Sequence, residues 1–352
     1  MKILFVSYGR GWGFLEDTWN QLFKPLGAKH FRISGSKSYP SMLTRLALKK
    51  YDVVWCEESG FIPTITWYLL RKTPPLRIYR NRNAKIISRL HFHNCDEYLS
   101  IKHWRAVENI AESDVVVSVS QYWKDAIKNI LPFLNLNLAT LHNGVDTEKF
   151  VSNRGVQEDQ SIFYLASTYH RKRLHLLIQA MNFLPNFKLV VGGPCKPFNV
   201  SVERKLADID VPSVCNGSKE YWDWCHKLAE PNKERILWKG FLTEEEKVRE
   251  YQKCSIFVLP STIESWGVVF MEAMACEKLV LATYSGGTPE FVPANELLPL
   301  DVSPKQLAER ITMVDGNENI GKLNRAIAEK YDWSNIRKEL ECVLSMALQD
   351  RQ

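Results

Sequence analysis

Short apolar runs alternate with polar-interrupted stretches from one end of the chain to the other. In the first half, residues 2–7 (K-I-L-F-V-S), 52–56 (D-V-V-W-C), 85–90 (K-I-I-S-R-L) and 114–119 (D-V-V-V-S-V) are nearly continuous apolar runs. Runs of this length without strict alternation read as strands buried on both faces, as in parallel sheets. Helical patterns at 42–50, 103–112 and 122–131 fall between or beside them. That rhythm predicts a doubly wound α/β sheet.

The rhythm breaks at L-H-N-G-V-D-T-E-K-F, residues 141–150, where Asn-Gly signals a turn and a polar stretch follows. The boundary is therefore set after residue 150. A second series of strands begins at 161–166 and continues at 187–191, 235–238, 255–259 and 279–283. Segment 194–234 is long for one crossover and holds Tyr221, Trp222 and Trp224, so an extra helix is expected there. The reading is one Rossmann-like domain at 1–150 and a second at 151–332. A helix at 333–352 would be able to pack back on the first domain.

Length agrees, since 352 residues exceed the roughly 250–300 at which single cores stop growing. Apolar residues make up 45% and charged residues 24%, ordinary values for a soluble protein. No apolar run reaches the roughly 20 residues of a membrane span. The N-terminal run is too short for a signal peptide. Cysteines stand at 56, 95, 195, 215, 225, 254, 276 and 342 without a C-x-x-C, which reads as reduced thiols and a cytoplasmic location.

The net charge of +6 matters less than its distribution. Arg71, Lys72, Arg77, Arg80, Arg82, Lys85 and Arg89 fall in one stretch without an acid. Either this is a solvated loop, or it faces an anionic partner, such as the inner membrane face or a phosphorylated acceptor. No nucleic-acid module accompanies it, so nucleic acid is not expected as a partner.

Ligands of doubly wound sheets sit beyond the carboxyl ends of the strands. Several chemistry-bearing stretches fall there. After the strand at 255–259 comes P-S-T-I-E-S-W-G-V-V-F-M-E, residues 260–272. Glu264 falls in the strand-to-helix loop, and a helix starting near Gly267 would aim free amides at a phosphate. Glu272 lies inside that helix among Val268, Val269, Ala275 and Cys276, so its carboxylate needs hydrogen-bond partners. A vicinal diol such as a ribose could supply them, and so could a backbone amide or a basic side chain.

This block resembles the retaining glycosyltransferases of family 4, which have the GT-B fold of two Rossmann-like domains facing a cleft; the resemblance would make 1–150 the acceptor-side domain and 151–332 the nucleotide-sugar-binding one. The likeness rests on E-x7-E at 264–272, on A-M-A-C-E-K-L-V-L-A at 273–282 and on S-G-G-T-P-E at 285–290. It extends to 141–150, to S-V-S-Q-Y-W-K-D at 118–125 and to W-K-G-F-L-T-E-E-E at 238–246. The resemblance implies that Glu264 holds the donor hexose and Glu272 the nucleotide ribose. The amides of Trp266, Gly267 and Val268 would then face the diphosphate. Gly286 and Gly287 would let backbone approach the donor, with Thr288 as helix cap and Pro289 in the first turn.

In H-R-K-R at 170–173, basic residues precede a helix and oppose its dipole unless an anion is shared there. The resemblance places Lys172 on the family's phosphate-binding lysine. The family's arginine position falls on Ser167, a departure, so Arg171 or Arg173 would have to replace its charge. In the first half, His91 matches the family's histidine near the reaction centre, with His93 as the competing choice. A metal site from His91, His93, Cys95 and Asp96 is the rival reading. The resemblance implies that the glycine-rich loop Gly9, Arg10, Gly11 and Gly13 lines the cleft, and a tight turn accounts for the same glycines.

The resemblance thus implies a metal-independent, retaining transfer of a hexose from a UDP-, GDP- or ADP-sugar to a glycan, lipid or small-molecule hydroxyl, without a cofactor. Two alternatives stay open: a catalytically silent nucleotide-sugar-binding protein of the same fold, and a nicotinamide-dependent oxidoreductase using the G-R-G-W-G loop.

Overall fold

A computed structural model of the chain describes residues 1–8, 13–33, 38, 41, 49–57, 83–91, 107, 110–194 and 218–349. The chain forms two units: residues 1–144 together with 333–352, and residues 145–332. The first therefore ends at Gly144, ahead of the boundary expected after 150. Val145 bridges to Asp332, and the Thr147 hydroxyl donates to the Asp332 carboxylate at 2.7 Å. These contacts hold the start of the second unit to its own end.

In the first unit, β1 (Ile3–Tyr8) leads into α1 (Gly13–Thr18) and a wider turn at Trp19–Phe23. β2 (Lys29–Ile33), β3 (Val53–Glu57), β4 (Lys85–Leu90) and β5 (Val115–Ser118) follow. Then come α2 (Gln121–Ile130) and β6 (Leu138–Thr140). The strands form a parallel sheet in the order β2-β1-β3-β4-β5-β6. β3 and β5 are buried at every position, which is why they read as unbroken apolar runs.

In the second unit, β7 (Ser161–Leu165), α3 (Leu174–Ala180) and β8 (Lys188–Gly192) come first. α4 (Ser218–Ala229) and β9 (Ile236–Gly240) follow, with α4 inside the segment expected to hold an extra helix. α5 (Glu244–Lys253), β10 (Ile256–Leu259), α6 (Val268–Ala275), β11 (Leu279–Thr283) and β12 (Leu297–Leu298) come next. α7 (Pro304–Val314) and α8 (Glu318–Lys330) close the unit. Its parallel sheet runs β12-β11-β10-β7-β8-β9. The central strands β7, β10 and β11 are fully buried. Their carboxyl ends therefore converge on one edge, where the loops after them meet.

The last helix, α9 (Trp333–Leu348), belongs to the first unit. Arg337 donates to the Gln21 carbonyl at 2.9 Å, and Glu339 meets His142 Nδ1 at 2.9 Å. The Trp333 ring lies where a Cβ on Gly144 would stand, so only glycine fits there.

Candidate active site

Three loops meet at the carboxyl edge of the second sheet. The first follows β7. A single 3₁₀ turn, His170–Lys172, ends at Arg173, which takes a left-handed φ of 50°. The second follows β10 and carries Glu264. The Thr262 amide donates to the Arg171 carbonyl at 2.7 Å, so the first two loops are pinned together. The third follows β11. The Gly287 amide donates to the Glu264 carbonyl at 2.9 Å. Gly286 has φ +57°, and a Cβ there would overlap that same carbonyl. The Gly-Gly pair thus has a structural role, because it lets the third loop lie flat on the backbone that presents Glu264.

The result is an ion pair. Lys172 Nζ donates to Glu264 Oε1, with both side chains largely buried. Burial alone would push the Glu264 carboxyl up, but the Lys172 and Arg171 charges outweigh it and hold it below the usual carboxylate range. Arg171 is buried beside the pair, with its guanidinium over the Tyr169 ring. Arg173 is not brought there. Its side chain donates instead to the Leu300 carbonyl at 2.7 Å. Of the two arginines, Arg171 is the one whose charge acts on Glu264.

Gly267, at φ +75°, ends the second loop and starts α6, because a left-handed residue is needed for that sharp entry. The first-turn amides at Val268 and Val269 have no intrahelical partners by geometry. Trp266 offers only its backbone. Its indole is fully buried against Phe291 and Tyr331, with ring centroids 4.9 Å away in each case. Thr288 also differs from its expected role as helix cap. It is the first residue of a 3₁₀ turn, and its hydroxyl donates back to the Thr283 carbonyl at 2.7 Å. That bond closes the third loop.

Glu272 is buried in α6, and two side chains from α5 answer its charge. Lys247 Nζ donates to Oε1 at 2.7 Å, and Tyr251 OH donates to Oε2 at 2.9 Å. Neither partner was foreseen. The signal was present, since residues four apart in a helix share a face. The basic-residue answer to this carboxylate, open in the sequence, is thus realised.

In the first unit, parallel register puts Glu57 opposite Arg89 across β3 and β4. His91 follows directly, and its Nε2 lies 2.5 Å from Glu57 Oε2. Arg89 is fully buried and donates through Nη2 to Leu141 O at 2.8 Å, to His142 O at 3.1 Å and to Asn143 Oδ1 at 2.9 Å. It therefore leaves the basic stretch that was read as a solvated or membrane-facing patch. Its neighbours in sequence are basic, but its partners come across the sheet. Residues 71–82 lie outside the described residues, as do His93, Cys95, Asp96, Gly9, Arg10 and Gly11. Gly13 begins α1. Among the described residues, no group of three or more His, Cys, Asp or Glu is placed to hold a metal, and no helix is long and apolar enough to cross a membrane.

A cavity of about 610 Å³ lined by Arg154, Asp159, Ser255, Glu277 and Asp315 opens at the opposite, amino-terminal edge of the second sheet. It shares no residue with the ion pair.

The profile of a family described as glycosyl transferases group 1 matches residues 145–333. An uncharacterized glycosyltransferase of Methanocaldococcus jannaschii, MJ1607, is 22% identical over 93% of this chain and 84% of the relative. Alpha-maltose-1-phosphate synthase of Mycolicibacterium smegmatis is 26% identical over 54% of this chain, which spans 49% of the synthase. Among solved structures, Anabaena HepE in complex with UDP and glucose superposes with a TM-score of 0.76 at 18% identity, over 98% of this chain and 99% of HepE.

Proposed function

The chain belongs to the glycosyl transferases group 1 and has the GT-B fold, and from that premise we propose that it is a retaining, metal-independent hexosyltransferase. It would move a hexose from a nucleoside diphosphate sugar to a hydroxyl of a glycan, lipid or small-molecule acceptor. The observation that carries this reading is the buried Lys172–Glu264 pair, flanked by Arg171, beside the first turn of α6 at the carboxyl edge of the sheet. A nucleoside diphosphate sugar complements both halves of the pair. Phosphate oxygens accept from Lys172, while sugar hydroxyls donate to Glu264. The α6 amides add donors for the diphosphate.

Cleavage of the sugar–phosphate bond puts negative charge on the departing diphosphate. Lys172, Arg171 and the helix amides are fixed where that charge grows, so they favour the transition state over the ground state. The acceptor hydroxyl then attacks from the face the diphosphate leaves, and its proton passes to a phosphate oxygen. This route retains configuration and uses neither a metal nor a covalent enzyme intermediate. His91 of the first unit is assigned to the reaction centre, and Glu272 to the ribose. A UDP-sugar donor is favoured because HepE is described with UDP and glucose, and with UDP-glucose. A cytosolic location belongs to the same reading, with Cys56, Cys225, Cys254 and Cys276 buried and outside disulfides.

A thermal-shift panel of UDP-, GDP- and ADP-sugars tests the donor, with NAD and NADP as counter-ligands. Stabilisation by one sugar nucleotide is expected, followed by EDTA-resistant transfer with the donor's anomeric configuration in the product by NMR. Stabilisation by a nicotinamide cofactor alone would overturn the reading. Donor binding without hydrolysis or transfer to any acceptor class would favour a silent binding protein.

A further inference from the structure

We propose that Glu57 is a positioning residue that fixes the tautomer of His91, with the imidazole proton on Nε2 and the lone pair on Nδ1. The proposal rests on the assignment of His91 to the reaction centre.

Three donors surround the Glu57 carboxylate. His91 Nε2 lies 2.5 Å from Oε2, Trp55 Nε1 lies 2.8 Å from Oε1, and Arg89 Nη1 lies 3.6 Å from Oε1. Glu57, Arg89 and His91 are all buried. Burial pushes the Glu57 carboxyl up, but the Arg89 charge and the hydrogen bonds from His91 and Trp55 outweigh it, so Glu57 is ionised. Burial pushes the His91 imidazole down, and the Arg89 charge adds to this against the pull of Glu57. The ring is therefore neutral at neutral pH. A neutral imidazole facing a carboxylate can bond to it only by donating, which puts the proton on Nε2.

The arrangement is rigid because Arg89 is tied through Nη2 to three acceptors at 141–143. The guanidinium balances the carboxylate without leaving a proton to share. In this tautomer Nδ1 can only accept a hydrogen bond.

Glu57→Gln separates shape from tautomer. The indole of Trp55 and the guanidinium of Arg89 only donate, so the amide oxygen must face them. The amide nitrogen then faces His91 Nε2, which must accept, and the imidazole proton moves to Nδ1. Size and burial stay constant while the tautomer inverts.

The measurement is the ¹⁵N shift pair of the His91 ring, assigned by comparison with His91→Ala. The unmodified protein should show protonated Nε2, and Glu57→Gln protonated Nδ1. In transfer assays, kcat should fall roughly 10–100-fold in Glu57→Gln, the range for carboxylates that orient a metal-ligating histidine. The donor KM should be unchanged. Glu57→Gln added to His91→Ala should cost nothing more. Protonated Nδ1 in the unmodified protein overturns the proposal without any variant having to fold, and so does a further loss in the double variant. A wild-type transfer rate in His91→Ala is a different outcome: it overturns the functional reading of His91, whatever its tautomer.

Discussion

Lys247 Nζ stands 2.7 Å from Glu272 Oε1, and this pair explains how a carboxylate survives inside an apolar helix. The charge is matched from the neighbouring helix, and Tyr251 bonds the second oxygen at 2.9 Å. The Glu272 charge in turn raises the Lys247 ammonium above its ordinary range, against the effect of burial. Two donors do not exhaust a carboxylate, which has roughly four lone-pair sites. A ribose diol can therefore join the cluster without displacing it. Glu272→Ala should do two things at once. It removes hydrogen bonds to a charged group, worth roughly 1.5–3 kcal/mol in denaturant unfolding. It should also weaken binding of the free nucleoside diphosphate by calorimetry. Lost stability with unchanged nucleotide affinity would make Glu272 a structural residue only.

The Lys172–Glu264 pair assigns different roles to its halves. Glu264→Ala should leave free nucleoside diphosphate affinity near wild type while lowering kcat and blurring discrimination between donor sugars. Lys172→Ala should lower both nucleotide affinity and kcat. The loss in kcat should be on the order of 10²–10³, the range for removing one preorganised charge-stabilising donor. Equal loss of nucleotide affinity in Glu264→Ala and Glu272→Ala would contradict the division of sugar from ribose.

Gly286 and Gly316 both take positive φ, at 57° and 76°, but their surroundings differ. A Cβ on Gly286 would strike the Glu264 carbonyl, whereas one on Gly316 would meet nothing within 4 Å. Either alanine substitution should cost on the order of 1–3 kcal/mol from the strained backbone alone. Only Gly286→Ala should also displace Glu264 and abolish most transfer. Full activity in Gly286→Ala would show that Glu264 does not depend on the third loop.

Much of this architecture could be read along the chain, and what could not has physical reasons. The central strands declare themselves because both faces are buried. β2, spelled K-H-F-R-I, lies at a sheet edge with only Ile33 buried, so its polar residues hid it. β12 is two residues long and gives no periodicity. Glu264 and Lys172 were visible because each stands between a strand and a helix, and Glu272 because it interrupts an apolar helix. Glu57 was not, since C-E-E after a strand looks like the start of a solvent loop. Its partners lie 34 residues on, at His91, and across a strand register that no local pattern encodes. Arg89 failed for the same reason.

Glu296 is a further carboxylate without a sequence signal, and it yields a pH prediction. It is fully buried in the second unit. Oε1 accepts from the Val280 amide at 2.7 Å and from Asn324 Nδ2 at 2.9 Å. Among the described residues, neither Glu296 Oε2 nor Asn324 Oδ1 has a hydrogen-bond partner. The acid form adds one O–H donor to a place holding two unanswered acceptors. Burial raises the carboxyl to about 7, against the amide and Asn324 hydrogen bonds and the Arg310 charge, which pull it down. The folded state therefore holds a proton that the unfolded chain, at 4.5, gives up. The stabilisation is fully present below 4.5, declines as pH rises, and is gone once pH passes about 7. At 1.36 kcal/mol per unit of pKa shift, its size is about 3 kcal/mol at most. Glu296→Gln mimics the acid form at every pH, with its amide oxygen toward Val280 and its NH₂ as donor. Its melting temperature should match wild type near pH 4.5. It should exceed wild type by several degrees at pH 8.5, at roughly 2–4 °C per kcal/mol. An offset of the same size at both pH values would show that Glu296 is charged in the folded protein throughout.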